Sequence, residues 1–409
     1  MDTTGSGFYI SGMDAGYKAI VVGCGGLGSA ALYSLSKELG TGVLGLEQFR
    51  LGHERGASQD HSRIIRLAQH QSEYAALAPY AYEAWEVLEE ESGVRVLFKT
   101  GGLVIEAPRE RDPAKVGTRN IDGYVAAFEE HGFDYELLEP DDLLRRWPQF
   151  RLEGSERAIF QKDSGLVDAR KANAVHVALA RSRGATVLDE TPVRAIRPSG
   201  EGVEVFTDGR TYLADRVVVA ADAWTNGVLE GVGLRIPLTV TQEQVTYYAT
   251  PNLKEFSPER FPVFMWHGKD NFYGFPVYGE VATKLGQHMG GLAKPVTAES
   301  RTFEPDPVRI RRYREFLSRH IPGFLGPELY TKTCLYTIPP DQNFVIDTLP
   351  DHPQISVAVG AGHAYKFAGL LGRILAQLAL EGTSTFPIGA FRLDRPAISD
   401  AAFERAFHA

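Results

Sequence analysis

The sequence predicts an α/β fold in which a parallel-sheet domain is interleaved with a mixed, largely antiparallel one. Three observations predict it. The short β-branched run Tyr17-Lys18-Ala19-Ile20-Val21-Val22 stops at glycine, as a buried parallel strand does. Small and apolar residues then recur at helical spacing from Gly28 to Leu39, and Val43 to Glu47 follows as a second strand, so a βαβ unit opens the fold. Far downstream, Thr239 to Tyr248 and Phe272 to His288 alternate in polarity and are rich in Thr, Val, Tyr and Phe, which suits antiparallel strands with one exposed face.

Length and composition set the bounds. At about 150 residues per domain, 409 residues provide two or three domains. Lys and Arg number 43 against 52 Asp and Glu, a net charge of −9 that argues against a protein tracking nucleic-acid phosphates. With 44% hydrophobic and 23% charged residues, the chain is not largely disordered. Only two cysteines, Cys24 and Cys334, are present, so neither a disulfide scaffold nor a cysteine-rich metal site is available; no metal site is expected. Residues 1–16 have no Lys or Arg and read as a mobile tail rather than a signal peptide. No apolar run approaches the ~18 residues of a membrane span, and the terminal Phe407-His408-Ala409 is no peroxisomal address. A cytoplasmic protein with no membrane or nucleic-acid partner is expected.

The elements follow in order. After Arg63-Ile64-Ile65-Arg66 comes an amphipathic helix with Leu77, Ala81, Ala84, Trp85 and Leu88 on one face, a core stripe. Short strands and helices occupy 100–160. A helix over 170–182 and strands near 185–188, 202–206 and 211–220 resume the α/β rhythm. The last third ends in a buried strand, Ile355 to Val359, and a helix carrying Phe367, Leu370, Leu371, Ile374, Leu375 and Leu378. This alternation assigns 17–97, 161–235 and 335–409 to one discontinuous domain, and 98–160 and 236–334 to the other.

Gly23-Cys24-Gly25-Gly26-Leu27-Gly28 is a G-x-G-x-x-G loop between strand and helix, the Rossmann-type fingerprint. Gly23 makes the tight turn, Gly25 lets backbone approach a pyrophosphate, and Gly28 permits close helix–strand packing. Glu47, 19 residues on, ends the next strand, where a carboxylate accepts hydrogen bonds from ribose hydroxyls. The pattern leaves FAD and NAD open and disfavours a 2′-phosphate. Cys24 reads as small apolar filler.

Beyond this loop the chain resembles the monomeric sarcosine oxidase and N-methyltryptophan oxidase family of flavin amine oxidases, over about Lys18 to Pro396. The resemblance rests on the Gly loop with Glu47, Ser62-Arg63-Ile64-Ile65-Arg66, Phe272-Tyr273-Gly274-Phe275-Pro276, and Lys284-Leu285-Gly286 with His288. It continues through Cys334-Leu335-Tyr336-Thr337, the run Asp341 to Asp347, and Gly362-His363-Ala364-Tyr365-Lys366-Phe367. It implies FAD, a Rossmann-type flavin domain and a mixed-sheet substrate domain.

The resemblance also implies roles. Cys334 matches the cysteine joined to the flavin by a thioether, and basic neighbours are expected to lower its thiol pKa. Lys284 matches the lysine implicated in oxygen reduction, where a fixed cation stabilises negative charge developing on oxygen. Arg66 and Lys366 match the pair that grips the substrate carboxylate, by guanidinium fork and point charge. Arg63 matches a second arginine near the flavin, and Tyr273, Tyr336 and His288 match residues lining the substrate cavity. Gly23, Gly25, Gly28, Glu47, Ser62, Arg63, Cys334, Gly362, His363 and Lys366 are the expected cofactor contacts.

Two departures stand out. Gln59, with His61 two positions later, replaces a histidine of the sarcosine oxidases, and Asp222 replaces the glycine of an Ala-Gly-Ala-Trp strand end. Segments Thr241 to Tyr248 and Pro262 to Lys269, with Gln244, Trp266 and His267, are where specificity is expected to reside. The implied activity is oxidation of a secondary amine bearing a carboxylate, an N-methyl or cyclic amino acid, with O2 reduced to hydrogen peroxide by a monomer. The rivals are a flavin dehydrogenase using another acceptor, a fructosyl-amino-acid oxidase, a nicotinamide enzyme argued from the Gly loop alone, and a flavin-binding sensor.

Overall fold

The computed structural model describes residues 16–107, 120–291 and 294–406, so the tail expected over 1–16 lies, but for Gly16, outside the described residues. β1 (Tyr17–Val22) sits at the centre of an eight-stranded sheet, parallel to β2 (Val43–Leu46) on one side and to Thr211–Val219 on the other. Thr186–Leu188 extends the parallel array beyond β2, and His352–Val359 pairs parallel with the end of Thr211–Val219. Val193–Ser199, Gly202–Thr207 and Val345–Leu349 add antiparallel margins. Ile20, Val21, Leu44, Val217, Val218 and Val219 are buried, as expected of strands covered on both faces.

Helix α1 (Gly26–Leu39) packs against the helices Ala169–Ser182 and Ala368–Glu381. Small residues make this close approach possible: a Cβ on Gly372 would come within 2.3 Å of the Ala30 backbone. The amphipathic helix spans Ser72–Ser92 and buries Leu77, Ala81, Ala84, Trp85 and Leu88 as its periodicity predicts.

A second sheet of nine strands is antiparallel except where Val263–His267 runs parallel to Gly102–Glu106. One face packs on the helix Pro307–His320 through Phe264, Trp266, Phe272, Leu285, Tyr313 and Phe316. Side chains alternate across a strand, so Met265, His267, Asn271, Tyr273, Phe275 and Lys284 face the other way, into a cavity. The single segment expected over Phe272 to His288 is two strands, Asn271–Phe275 and Thr283–Gln287. Pro276 and Gly279 (φ +78°) break it, because the first cannot donate to a ladder and the second supplies a left-handed turn.

The strand Glu328–Ile338 pairs along its length with Thr239–Tyr248, so the expected boundary between 334 and 335 falls inside it. The boundary between 160 and 161 likewise falls inside Arg157–Gln161. Among the described residues, no helix is long and apolar enough to cross a membrane.

Candidate active site

The glycine loop shapes one end of the cavity. Gly23 has φ +89°, and a Cβ there would lie 2.6 Å from the Ala220 carbonyl oxygen. Gly23, Gly25 and Gly26 line the cavity, whereas Gly28 lies beneath them against Gly23. The Gly26 amide donates to Ser58 Oγ at 2.8 Å, and the Tyr365 ring packs on Gly26 so closely that a Cβ would meet it at 2.8 Å. Glu47 is 5% exposed; its Oε2 accepts from the Cys24 amide at 2.9 Å and its Oε1 from the Phe49 amide at 3.1 Å. The carboxylate therefore braces the loop as well as lining the cavity. Cys24 is buried against Gly45 and Leu32, with burial pushing its thiol pKa up, in keeping with a filler role.

A single cavity of about 1190 Å³ runs from this loop to the second sheet, and Ser62, Arg63, Arg66, Tyr273, Lys284, His288, Cys334, Tyr336, Gly362, His363 and Lys366 all line it. Residues from 23 to 366 are thus brought together by the two sheets and the loop 52–62. Arg63 organises that loop, donating to the carbonyls of Ala57 (2.9 Å), Gln59 (2.5 Å) and Ser62 (2.9 Å). Its strand, Arg63–Ile65, pairs with Gly165–Val167, which fixes Arg63 and Arg66 relative to the wall.

Lys284 is 2% exposed; its Nζ lies 3.1 Å from Asp60 Oδ2 and 2.8 Å from the Ser62 carbonyl oxygen. Burial pulls its pKa down to about 8, against the attraction of Asp60. Burial also raises the pKa values of Tyr273 and Tyr336, so both phenols stay protonated and able to donate. The His288 ring is 5.9 Å from that of Tyr336, and Gly362 (φ +73°) lets the backbone lie against the Tyr336 ring. Arg66 donates to the Ala68 carbonyl and holds its guanidinium 5.7 Å from the Tyr124 ring centre. Lys366 is 7% exposed and donates to the His363 carbonyl at 2.5 Å; His363 Nε2 is 3.1 Å from the Gln342 carbonyl oxygen.

Several expectations change. Burial pushes the Cys334 thiol up to about 11 despite the pull of Arg63 and Arg301, so basic neighbours do not make it acidic. Trp266 faces Phe316 and His320, away from the cavity, and Gln244 is tied to Asp306. Of that trio only His267 lines the cavity, where Nε2 is 3.2 Å from the Tyr124 hydroxyl. Gln59 donates to the Thr333 carbonyl at 3.2 Å, and His61 Nε2 is 3.0 Å from Glu280 Oε1. Sequence reasoning missed Asp60, Tyr247 and Arg301. Asp60 stood in a loop already singled out, but Tyr247 becomes visible only once strand register puts it opposite Lys284.

The cavity fits a dinucleotide-sized ligand with many polar atoms. Among the described residues, Gln59 Oε1, Ser62 Oγ and Asp222 Oδ2 are buried without hydrogen-bond partners, and all three residues line it. Buried polar atoms are satisfied in the large majority of cases, and a ligand in the cavity accounts for these three. A glycine loop at a helix N-terminus, a strand-end carboxylate and a cationic far wall define a dinucleotide-binding α/β protein.

Comparison with known proteins specifies it. Residues 18–378 match the family model of the FAD dependent oxidoreductases (DAO). The chain is 33% identical over 396 residues to monomeric sarcosine oxidase of Bacillus sp. (strain B-0618), covering 95% of this chain and 98% of that protein. It is 29% identical to N-methyl-L-tryptophan oxidase of Shigella dysenteriae, covering 93% and 99%. Among solved structures, NikD, described as an unusual amino acid oxidase essential for nikkomycin biosynthesis, superposes with a TM-score of 0.80 at 27% identity, covering 93% and 98%. The chain belongs to the FAD dependent oxidoreductase family, within its sarcosine and N-methyltryptophan oxidase group: a flavoprotein amine oxidase acting on CH–NH bonds, with FAD as cofactor.

Proposed function

We propose that this chain oxidises a secondary amine carrying a carboxylate, an N-methyl or cyclic amino acid, with oxygen as the final acceptor. The observation that supports it most directly is that Arg66, Lys366 and Lys284 line the same cavity as the glycine loop. Gly23, Gly25, Glu47, Ser62, Arg63, Gly362 and His363 would hold FAD, with Gly28 packing beneath and Cys334 as its covalent anchor. When bound, FAD supplies the two-electron acceptor for the CH–NH bond and the donor to oxygen.

The protein's part is electrostatic and positional. Arg66 and Lys366 bind the substrate carboxylate, a guanidinium through two parallel hydrogen bonds and an ammonium as a point charge. Tyr273 and Tyr336, held protonated, donate hydrogen bonds and orient the amine, with His288 beside them. Lys284 places a positive charge in a site almost closed to water, where it favours negative charge developing on oxygen. Segments 17–97, 161–235 and 335–409 serve as the cofactor half and 98–160 and 236–334 as the substrate half, with the strands Arg157–Gln161 and Glu328–Ile338 running across two of the boundaries. A monomeric state accords with a relative named monomeric.

The test is a peroxide-coupled screen of N-methyl, cyclic and glycated amino acids beside matched amines lacking the carboxylate. Stoichiometric peroxide with the carboxylated secondary amines, and a large loss with the decarboxylated ones, is expected. Substrate-dependent flavin bleaching without peroxide would replace the reading with a dehydrogenase, and activity confined to glycated amino acids would replace it with a fructosyl-amino-acid oxidase.

A further inference from the structure

One carboxylate in the cavity wall has no role in the reading above. Asp60 is 6% exposed and has φ +92°, a left-handed backbone that a non-glycine residue adopts only at a cost. Its Oδ2 lies 3.1 Å from Lys284 Nζ and 3.7 Å from Arg63 Nη1. Its Oδ1 accepts from the Tyr247 hydroxyl and, at 2.9 Å, from the His61 amide. Tyr247 and Lys284 are direct partners on adjacent antiparallel strands, so the sheet presents hydroxyl and ammonium side by side and the loop carboxylate closes over both.

Such a site is hostile to a lysine charge. Burial favours the neutral amine, and Arg63 repels the ammonium, leaving Asp60 as the opposing charge closest to it. An ammonium has three N–H groups. Among the described residues two are accounted for, by Asp60 and by the Ser62 carbonyl, which leaves one for the cavity that Lys284 lines.

We propose that Asp60 is the positioning residue for Lys284: it keeps the ammonium protonated and aimed into the cavity, and so sets the pH range over which the protein reduces oxygen. The proposal rests on the reading of Lys284 as the oxygen-side cation. The groups facing Lys284 are Asp60, Arg63, the Cys334 thiol and the Tyr247 hydroxyl, with the Phe275 ring centre 4.0 Å away. Arg63 stays charged, Asp60 is held ionised, and Cys334 and Tyr247 are pushed up by burial, so Lys284 is the member of this set that titrates between about pH 6 and 10.

The experiment compares the wild type with Asp60→Asn, Asp60→Gly and Lys284→Met. Glycine is chosen because it accepts the left-handed backbone, so a purely structural role of residue 60 would be rescued by it. Reoxidation of substrate-reduced holoenzyme by oxygen is followed by stopped flow across that pH range, beside anaerobic bleaching. Both Asp60 variants are expected to move the midpoint of the reoxidation profile to lower pH by about one unit or more, with about a tenfold slowing near pH 8, larger than any change in bleaching. In flavin-free protein, adding Lys284→Met to Asp60→Asn is expected to restore part of the lost thermal stability, because the unpaired buried charge is removed. An unshifted midpoint in both Asp60 variants, with Lys284→Met still slowing reoxidation, overturns the proposal alone. Reoxidation unaffected by Lys284→Met overturns the reading of Lys284 and the proposal with it.

Discussion

A Cβ on Gly28 would lie 1.7 Å from the carbonyl oxygen of Gly23, so the third glycine of the loop is a packing requirement at the junction of β1 and α1. Neither backbone can yield without moving the cofactor end of the cavity, because Gly23 is itself held by a hydrogen bond from its amide to the Leu46 carbonyl at 2.8 Å. Gly28→Ala is expected to cost at least the ~1–3 kcal/mol typical of overpacking and to leave purified protein deficient in flavin. The ratio of visible to ultraviolet absorbance, read beside the melting temperature, checks it. A fully yellow, fully stable variant would contradict the packing.

Arg66 gives the sharpest test of substrate binding. Truncating one partner of a buried charge-assisted pair costs about 2–5 kcal/mol, so Arg66→Ala is expected to lower kcat/KM for a carboxylated amine by about 30- to several-thousand-fold. Arg66→Lys keeps charge but not the fork and falls between. Amines without the carboxylate should lose far less, and an equal loss for both would remove Arg66 from the carboxylate site.

How far the sequence reaches is visible in particular residues. The βαβ unit and the Thr239–Tyr248 strand are local patterns of period and turn chemistry, and both elements form; the exposed face expected of that strand does not, because none of its residues is exposed and Glu243 to Tyr248 are all buried. Lys284, Tyr273 and Cys334 are legible only through motif resemblance, since nothing in their own neighbourhoods says which face they occupy. What could not be read is register. The pairing of Tyr247 with Lys284, and the continuity of Glu328–Ile338 across an expected boundary, depend on which strands meet. The state of the Cys334 thiol lies beyond the sequence for a related reason: charges can be counted in a sequence, whereas the desolvation that outweighs them here is a property of the packed site.

Cys334 therefore yields a paired expectation. With its thiol pushed up to about 11, little thiolate exists at neutral pH, and alkylation in flavin-free protein should be slower than for a free cysteine at about pH 8. Peptide mapping after timed iodoacetamide treatment measures this. In holoprotein the wild type should keep its yellow colour through acid precipitation and gain the mass of one FAD less two hydrogens, the two removed as the thioether forms and the flavin is reoxidised by oxygen, whereas Cys334→Ala should release the flavin to the supernatant. Retention by the alanine variant would place the attachment elsewhere.

Asp222 adopts φ +46°, a left-handed conformation suited to the glycine that the Ala-Gly-Ala-Trp pattern carries there, and its Oδ2 is buried without a hydrogen-bond partner among the described residues. Burial pushes its carboxyl up to about 6. A carboxyl with a raised folded-state pKa binds its proton more tightly folded than unfolded, so its stability contribution is present below the ordinary carboxylate value and is lost as pH rises through about 6. Asp222→Asn, which cannot ionise, should therefore melt higher than the wild type above about pH 6, with the advantage shrinking toward pH 4. Asp222→Gly should share that pH dependence and also relieve the backbone. Melting curves of the three flavin-free proteins across this range decide the matter: a constant offset would mean that the Asp222 carboxylate is solvated or paired, and that backbone shape alone distinguishes the variants.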